Sequence, residues 1–515
     1  MRLPRLEVGG FKAPRWPAVI AVLALITGCG LMMNARHVKS GESALPQGYP
    51  SSRPNVVFVL TDDLSWDLLP YMPQVQKMQR EGMTFTNYTV ADSLCCPSRA
   101  TIFTGEYPHN TKVTTNTGPY GGFLEFHRRG LEQRTFAQAI QRGAGYRTAM
   151  LGKYLNGYEP FYRLGGSRAY VPPGWSEWSA AGNGYREYDY HLATGGKVRY
   201  YGDASKDYMT DVLTERGMSF IQAAAKARTP FAMELATFTP HGPFIPAPRD
   251  VNAFPGLKAP RGPAWGRLPS HAPGWLRTLT PIGPFLTGVI DRDFRMRAQD
   301  VLSIDRMIGD IRLALREAGV AKDTYLVFSS DNGYHLGQYR LGPGKQTAFD
   351  TDVRVPLVVV GPGVPAGTRS DALTQNVDLA PTFDEIAGVR VPGDVDGHSM
   401  LGLWHGHSDR GWRNAALIEH RGPDSVESDP DWQTPRSGNP PSYAALRTST
   451  FTYVEYVNGE REYYNRVRDP YELDNTVGTI PKQRLHFLHR ALDQYTQCHG
   501  GSSCWQAGHL TRTKP

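Results

Sequence analysis

Cysteine is scarce in this chain: there are five in 515 residues. Cys498 and Cys504 form a spaced pair, but no second pair accompanies them, which argues against a structural zinc site. Long apolar runs are missing as well. Ala18 to Ile26, near the N-terminus, is too short for a membrane span. The chain has no dense Lys/Arg run and no recognisable nucleic-acid motif, so DNA and RNA are discounted as partners. Internal repeats and low-complexity blocks are absent too. What remains is ordinary globular composition, 40% hydrophobic and 20% charged. The 54 glycines and 40 prolines suit the many loops of a large α/β enzyme rather than disorder. The length allows one large or two moderate domains.

The N-terminus reads as a targeting segment. Arg2, Arg5, Lys12 and Arg15 precede the apolar run. Leu25-Ile26-Thr27-Gly28-Cys29 resembles a bacterial lipobox, which implies cleavage after residue 28 and lipid attachment to Cys29. The other readings are an ordinary secretory signal cut nearby or a retained anchor. The expected organisation is a lipoprotein signal peptide over 1–28, a tether over 29–53, a catalytic domain over 54–412 and a C-terminal subdomain over 413–515. The expected location is the bacterial cell envelope, lipid-anchored or secreted. Net charge is +7; loss of residues 1–28, with four Lys/Arg and one Glu, leaves +4. A mild positive balance suits an anionic substrate.

Short apolar runs recur, each followed at once by polar residues. Asn55 to Leu60 leads into Thr61-Asp62-Asp63, and Tyr146 to Leu151 into Gly152-Lys153. Phe231 to Thr237 leads into Thr239-Pro240-His241-Gly242, and Tyr325 to Phe328 into Ser329-Ser330-Asp331-Asn332-Gly333. Val355 to Val360 leads into Gly361-Pro362-Gly363. Continuous apolar runs predict strands buried on both faces. Helical patterns lie between them at Met72–Glu81, Thr135–Arg142, Asp207–Ala227 and Phe294–Ala318. The alternation predicts an α/β fold with a large mixed, mainly parallel sheet covered by helices on both sides. Ligands of such sheets bind beyond the carboxyl ends of the strands, where these polar residues converge.

After about residue 412 the texture changes. Ala415–Glu419, Tyr443–Arg447, Phe451–Val457 and Glu462–Asn465 predict a small antiparallel sheet, with Asn458-Gly459 as a hairpin turn. Pro481–Tyr495 predicts a helix packed with it. Residues 421–441 are rich in Pro, Ser and Asp and read as a long loop.

Asp62 with Asp63, and Asp331 with Asn332, place hard oxygen ligands at two strand ends, a donor set for Ca²⁺ or Mg²⁺. Alone, either pair could serve only as a cap or turn. The decisive stretch is Cys95-Cys96-Pro97-Ser98-Arg99, followed by Thr104-Gly105. It resembles the signature of the type I sulfatases. Leu60 to Asp63, Tyr107 to Asn110, Gly152 to Asn156, Val171 to Trp175, Thr210 to Leu213, Ser330 to His335 and Lys345 are similar to the same family. Within it they are most similar to the N-acetylglucosamine-6-sulfatase and heparan endosulfatase branch, in order over residues 54–400.

The resemblance implies an alkaline phosphatase-like sandwich and a sulfuric ester hydrolase. It implies that Cys95 is converted to formylglycine by a formylglycine-generating enzyme acting on the unfolded chain. It assigns Asp62, Asp63, Asp331, Asn332 and position 95 to Ca²⁺, and Arg99, Lys153, His241 and Lys345 to the nucleophile and sulfate. The hydrated aldehyde would attack sulfur, the alcohol would leave with a proton from His241 or Lys345, and the hemiacetal would then expel sulfate. The branch also has a counterpart of the Cys498/Cys504 pair; in an exported chain those two can form a disulfide.

One departure matters. Simpler arylsulfatases carry a histidine two residues after the lysine matching Lys153, where this chain has Leu155. His109 and His335 are therefore candidates for the missing base, and with Asn156 are expected to touch substrate. The expected substrate is a sulfated small molecule or glycan, such as a 6-O-sulfated amino sugar. Specificity is expected from loops at 111–130, 160–205 and 243–285. Two other readings stand beside this one: an aryl or alkyl sulfatase or phosphoesterase of the same superfamily, and a non-catalytic lipoprotein that binds sulfated glycans.

Overall fold

A computed structural model describes residues 53–510 apart from Ser167. The signal segment, Cys29 and nearly all of the tether lie outside the described residues.

The four strongest apolar runs form the parallel centre of one ten-stranded sheet. They are β1 (Asn55–Thr61), β2 (Arg147–Lys153), β3 (Phe231–Ala236) and β4 (Thr324–Ser330). Their order in the sheet is β4-β1-β3-β2. Register aligns Thr61 with Ser330, Leu60 with Ala236, and Gly152 with Ala236. All four strands therefore end at one edge. Almost every residue in them is buried, because helices cover both faces.

Side chains of β1 alternate between those faces. Val57 and Val59 join a core with Phe220 and Ile221 of α2 (Met209–Lys226) and Ile304 and Ile308 of α3 (Pro284–Glu317). Phe58 points the other way and meets Phe383, ring centroids 5.5 Å apart. The helix α3 begins ten residues before the predicted start. Pro284 at its first turn supplies a preset φ and lacks an N–H that would need a partner there.

Beyond β4 the sheet continues through Leu357–Val360, Met83–Phe85 and Thr368–Ser370. Beyond β2 it continues through Glu177–Ala181, Tyr190–Thr194 and Lys197–Tyr201. The segment 160–205, expected as a specificity loop, thus carries three short strands between its loops. Its outermost strand is polar and mostly exposed, so it lacks the apolar run that marks a central strand.

The C-terminal sheet is antiparallel in the order Ala416–His420, Tyr443–Arg447, Phe451–Tyr456, Arg461–Asn465. Lys482–Thr496 is the helix beside it. Leu417, Leu446, Tyr453, Leu488 and Tyr495 share one apolar cluster with Ala91, Tyr107 and Val377. That shared core brings the segment between the first two strands, residues 421–442, over the edge where β1 to β4 end.

Candidate active site

The signature cysteine opens a buried helix, α1 (Cys95–Thr104). Gly105 ends it in the left-handed conformation, φ 70°, packed against Val395 and Pro381. Every residue of α1 is buried, so its polar side chains must find partners inside. Arg99 donates from Nε to Asp331 Oδ2 at 2.7 Å and from Nη1 to the Lys153 carbonyl at 2.8 Å. Ser98 Oγ donates to the Asp331 carbonyl. These bonds fix α1 against the ends of β4 and β2.

Neighbouring residues of an extended strand point to opposite faces. Asp63 instead adopts a left-handed conformation, φ 63°, which aspartate tolerates better than most residues. The turn lets Asp62 and Asp63 face one centre. Ligand atoms of Asp62, Asp63, Cys95 and His241 all lie within 4.8 Å of one another. Asn332 donates to Asp63 Oδ1 at 2.6 Å, while its own buried Oδ1 has no hydrogen-bond partner. A buried acceptor without a donor is costly. That free oxygen, beside three aspartates, fits a hard divalent cation.

Two lysines reach the same group of carboxylates. Lys153 ends β2, and Gly152 before it has φ 108°; a side chain there would collide with the Ala236 carbonyl. Lys153 Nζ pairs with Asp62 and lies 5.0 Å from the Tyr185 ring centre. Lys345 follows the short pairing of His335–Leu336 with Pro343–Gly344. Its Nζ meets three acceptors: Asp63 Oδ1 at 2.6 Å, Asp431 Oδ1 at 2.6 Å and Cys95 Sγ at 3.0 Å. The contacts to Asp63 and Cys95 are hydrogen bonds, and that to Asp431 is an ion pair. Burial alone would lower both lysines, but facing carboxylates hold them well above their usual range.

His241 sits between two acceptors, the Gly242 carbonyl at 2.7 Å from Nδ1 and Asp431 Oδ1 at 2.5 Å from Nε2. Both nitrogens must carry hydrogen, which is the imidazolium form. Burial opposes that charge; Asp431, Asp63 and Asp62 outweigh burial and raise the pKa. The Cys95 thiol is pushed well above its ordinary value by burial and by Asp331, Asp431 and Asp62. As a thiol it is a poor nucleophile.

Asp431 was not singled out in the sequence. It belongs to the segment read as a loop, and nothing but an acidic residue in a Pro/Ser/Asp-rich stretch marks it. It is 1% exposed. Besides His241 and Lys345 it accepts from Asn116 at 2.6 Å and Asn156 at 3.3 Å, both at Oδ2. Burial would raise its carboxyl, but Lys345 and His241 hold it well below the usual carboxylate range. Arg297 was missed too, for a different reason: an arginine inside a predicted helix carries no sign in the sequence that it turns inward. From α3 it donates to the Asp63 and Pro240 carbonyls and ties two strand-end loops together.

Asn156 lies in this ring of contacts. His109 and His335 are engaged elsewhere. His109 bonds Glu419 Oε2 and the Cys498 carbonyl, both at 2.8 Å, and so links the main domain to the C-terminal segment. His335 bonds Asp352 at 2.9 Å and the Ser437 carbonyl at 3.1 Å. Both ring nitrogens of each histidine are thus engaged by partners other than Cys95. Cys498 and Cys504 are joined, S–S 2.01 Å.

The sequence profile of the Sulfatase family matches residues 54–389. The chain belongs to the sulfatase family. A second profile, N-sulphoglucosamine sulphohydrolase, C-terminal, matches residues 343–497, the part that carries Asp431. This sulfatase is 34% identical to human N-acetylglucosamine-6-sulfatase over 475 residues, 87% of this chain and 85% of the human one. It is 26% identical to N-acetylglucosamine-6-O-sulfatase of Bacteroides thetaiotaomicron, covering 94% and 95% of the two chains. Among solved structures it is similar to BT4656, solved with its substrate D-glucosamine-2-N,6-O-disulfate. The TM-score is 0.73 at 24% identity, over 87% of this chain and 98% of that one. The fold is the alkaline phosphatase-like one of the family, and the enzyme is a sulfuric ester hydrolase.

Proposed function

We propose that this sulfatase removes the 6-O-sulfate of an N-acetylglucosamine or related amino sugar, and that it works exported, held to the cell envelope through Cys29. The reading is supported by the relatives' substrates and carried by one observation: two lysines, a histidine and three aspartates converge on Cys95. Formylglycine made from Cys95 by a formylglycine-generating enzyme would supply a hydrated aldehyde whose hydroxyl attacks sulfur. Ca²⁺ held by Asp62, Asp63, Asp331 and Asn332 would polarise a sulfate oxygen and acidify that hydroxyl.

The chain's own side chains do the rest. Lys153, Lys345 and His241 are fixed cations in a dry site, so they stabilise charge building on the sulfate oxygens without reorganising. His241, kept as an imidazolium by its two acceptors, gives its Nε2 proton to the departing sugar oxygen. Asp431 holds Nε2 of His241 and Nζ of Lys345 aimed at one point and yields that point to a sulfate oxygen when substrate arrives. Arg99 does not need to touch substrate; it anchors Asp331 and the Lys153 backbone.

The test is sulfate release from N-acetylglucosamine-6-sulfate and from an aryl sulfate, by protein co-expressed with a formylglycine-generating enzyme. Release from the sugar, abolished in Cys95→Ala, is the expected result. Faster release from the aryl ester would overturn the substrate, and no release from either with the aldehyde present would overturn the amino-sugar reading.

A further inference from the structure

A cavity of about 460 Å³ opens beside the signature helix, between residues 115–120 and 421–429. The volume lies within the roughly 300–1,000 Å³ of small-molecule sites. Two of its lining residues adjoin the catalytic centre. Leu94, next to Cys95, lines it. So does Asn116, which accepts from the Cys96 backbone at 2.8 Å and donates to Asp431.

At its mouth the Arg421 guanidinium lies 3.6 Å from the centre of the Tyr120 ring. Both side chains are exposed. Arg421 is backed by a fixed chain, because the Ser442 N–H and hydroxyl both donate to the Gly422 carbonyl and the Gly422 N–H donates to Ser442 Oγ. Among the described residues no carboxylate lies within ion-pair distance of Arg421. Two acidic residues also line the wall, away from any ion pair with Arg421: Asp429 accepts from Thr117 and the Asp431 backbone, and Asp424 from the Val426 backbone. A guanidinium spread on a ring presents its N–H fork outward, the geometry that takes carboxylate or sulfate in two hydrogen bonds.

We infer that this cavity receives the part of the substrate beyond the ester, and that Arg421 on Tyr120 pairs with a second anionic group there. The preferred substrate is then a polyanionic glycan unit, not a neutral sugar bearing one sulfate. The inference rests on the sugar-sulfatase reading above. The second anion is either an N-sulfate on the same sugar or a uronate carboxylate on the adjoining one.

Binding to the Cys95→Ala protein, which cannot turn over, separates the two claims. The ligands are N-acetylglucosamine-6-sulfate, glucosamine-2-N,6-O-disulfate and a uronate-linked disaccharide 6-sulfate, titrated by calorimetry. The doubly charged ligands should bind more tightly than the singly charged one. Arg421→Gln in the same background should cut that preference about tenfold, the scale of one charge-assisted contact. Arg421→Lys should restore part of it, and which doubly charged ligand responds identifies the source of the anion. Melting temperature checks that each variant is folded. No preference in the parent, or an unchanged preference in a folded Arg421→Gln protein, would overturn the inference. Sulfate release by the Cys95-containing enzyme judges the parent reading independently.

Discussion

Asp431 accepts a 2.5 Å hydrogen bond from His241 across 190 residues of sequence. The carboxylate comes from a loop of the C-terminal segment and the histidine from the end of a central strand, so the charge state of the histidine depends on how the two segments pack. Asp431→Asn should lower kcat by about 10²-fold, as when one preorganised charge partner is lost. The sign for pH follows from geometry. Asp431 helps raise the His241 pKa, and a group that acts as an acid loses activity as pH rises through its pKa. The alkaline limb of the kcat profile should therefore move to lower pH in Asp431→Asn. An unmoved limb would remove Asp431 from this role.

Lys153→Ala and Lys345→Ala should each cost on the order of 10²–10³ in turnover. Steady-state sulfate release checks this. Near wild-type turnover in either variant would take that lysine out of the site.

Arg99 and Asp331 are both fully buried. Removing one member of such a pair strands the other, at about 3–5 kcal/mol. Arg99→Ala should lose stability by that amount in denaturant unfolding. Arg99→Lys should rescue little, because a lysine cannot serve the Asp331 carboxylate and the Lys153 carbonyl in the same fork.

The free Oδ1 of Asn332 and the grouped carboxylates should make the folded chain bind Ca²⁺. At a hundredfold excess over Kd, binding adds about 2.7 kcal/mol of stability. Chelator-treated protein should melt several degrees lower and recover with Ca²⁺. Asn332→Ala should blunt the recovery, and an equal response in wild type and variant would count against Asn332 as a ligand.

Asp384 tests burial without catalysis. It is 2% exposed, its Oδ1 lacks a partner, and burial pushes its pKa up to about 8. The unfolded chain sheds this proton near pH 4 while the native one keeps it. The contribution is therefore complete below pH 4 and is lost as pH rises toward 8, on the order of a few kcal/mol. Asp384→Asn should melt higher than wild type at pH 7.5, and the difference should vanish near pH 4.5.

Much of this enzyme was legible along the chain. Central strands buried on both faces must be continuous apolar runs, so β1 to β4 stood out. The oxygen donors at their ends marked Asp62, Asp63, Asp331 and Asn332, and the family resemblance marked Lys153 and His241. The signature resemblance added Cys95 and Arg99, on a helix the sequence pattern did not predict, and the structure gathers all of these. The edge strands over 177–201 were hidden, because exposure on one side removes the apolar pattern.

His109 and His335 show the limit from the other direction. Their setting in matching motifs named them, but the partners that hold each ring are decided by what packs against it, here Glu419 and the Cys498 carbonyl for one, Asp352 and the Ser437 carbonyl for the other.

The sequence by itself determined the central sheet and the residues its strand ends deliver, since these follow from local pattern, while position 95 was marked by resemblance to the family signature. Only the tertiary structure decided that Asp431 closes the circle of charges and that Arg421 lies on Tyr120 over a cavity. Both come from an irregular loop with no periodicity to read. Their positions are set by the apolar core that the C-terminal sheet shares with the main domain, a long-range packing free energy that no local signal encodes.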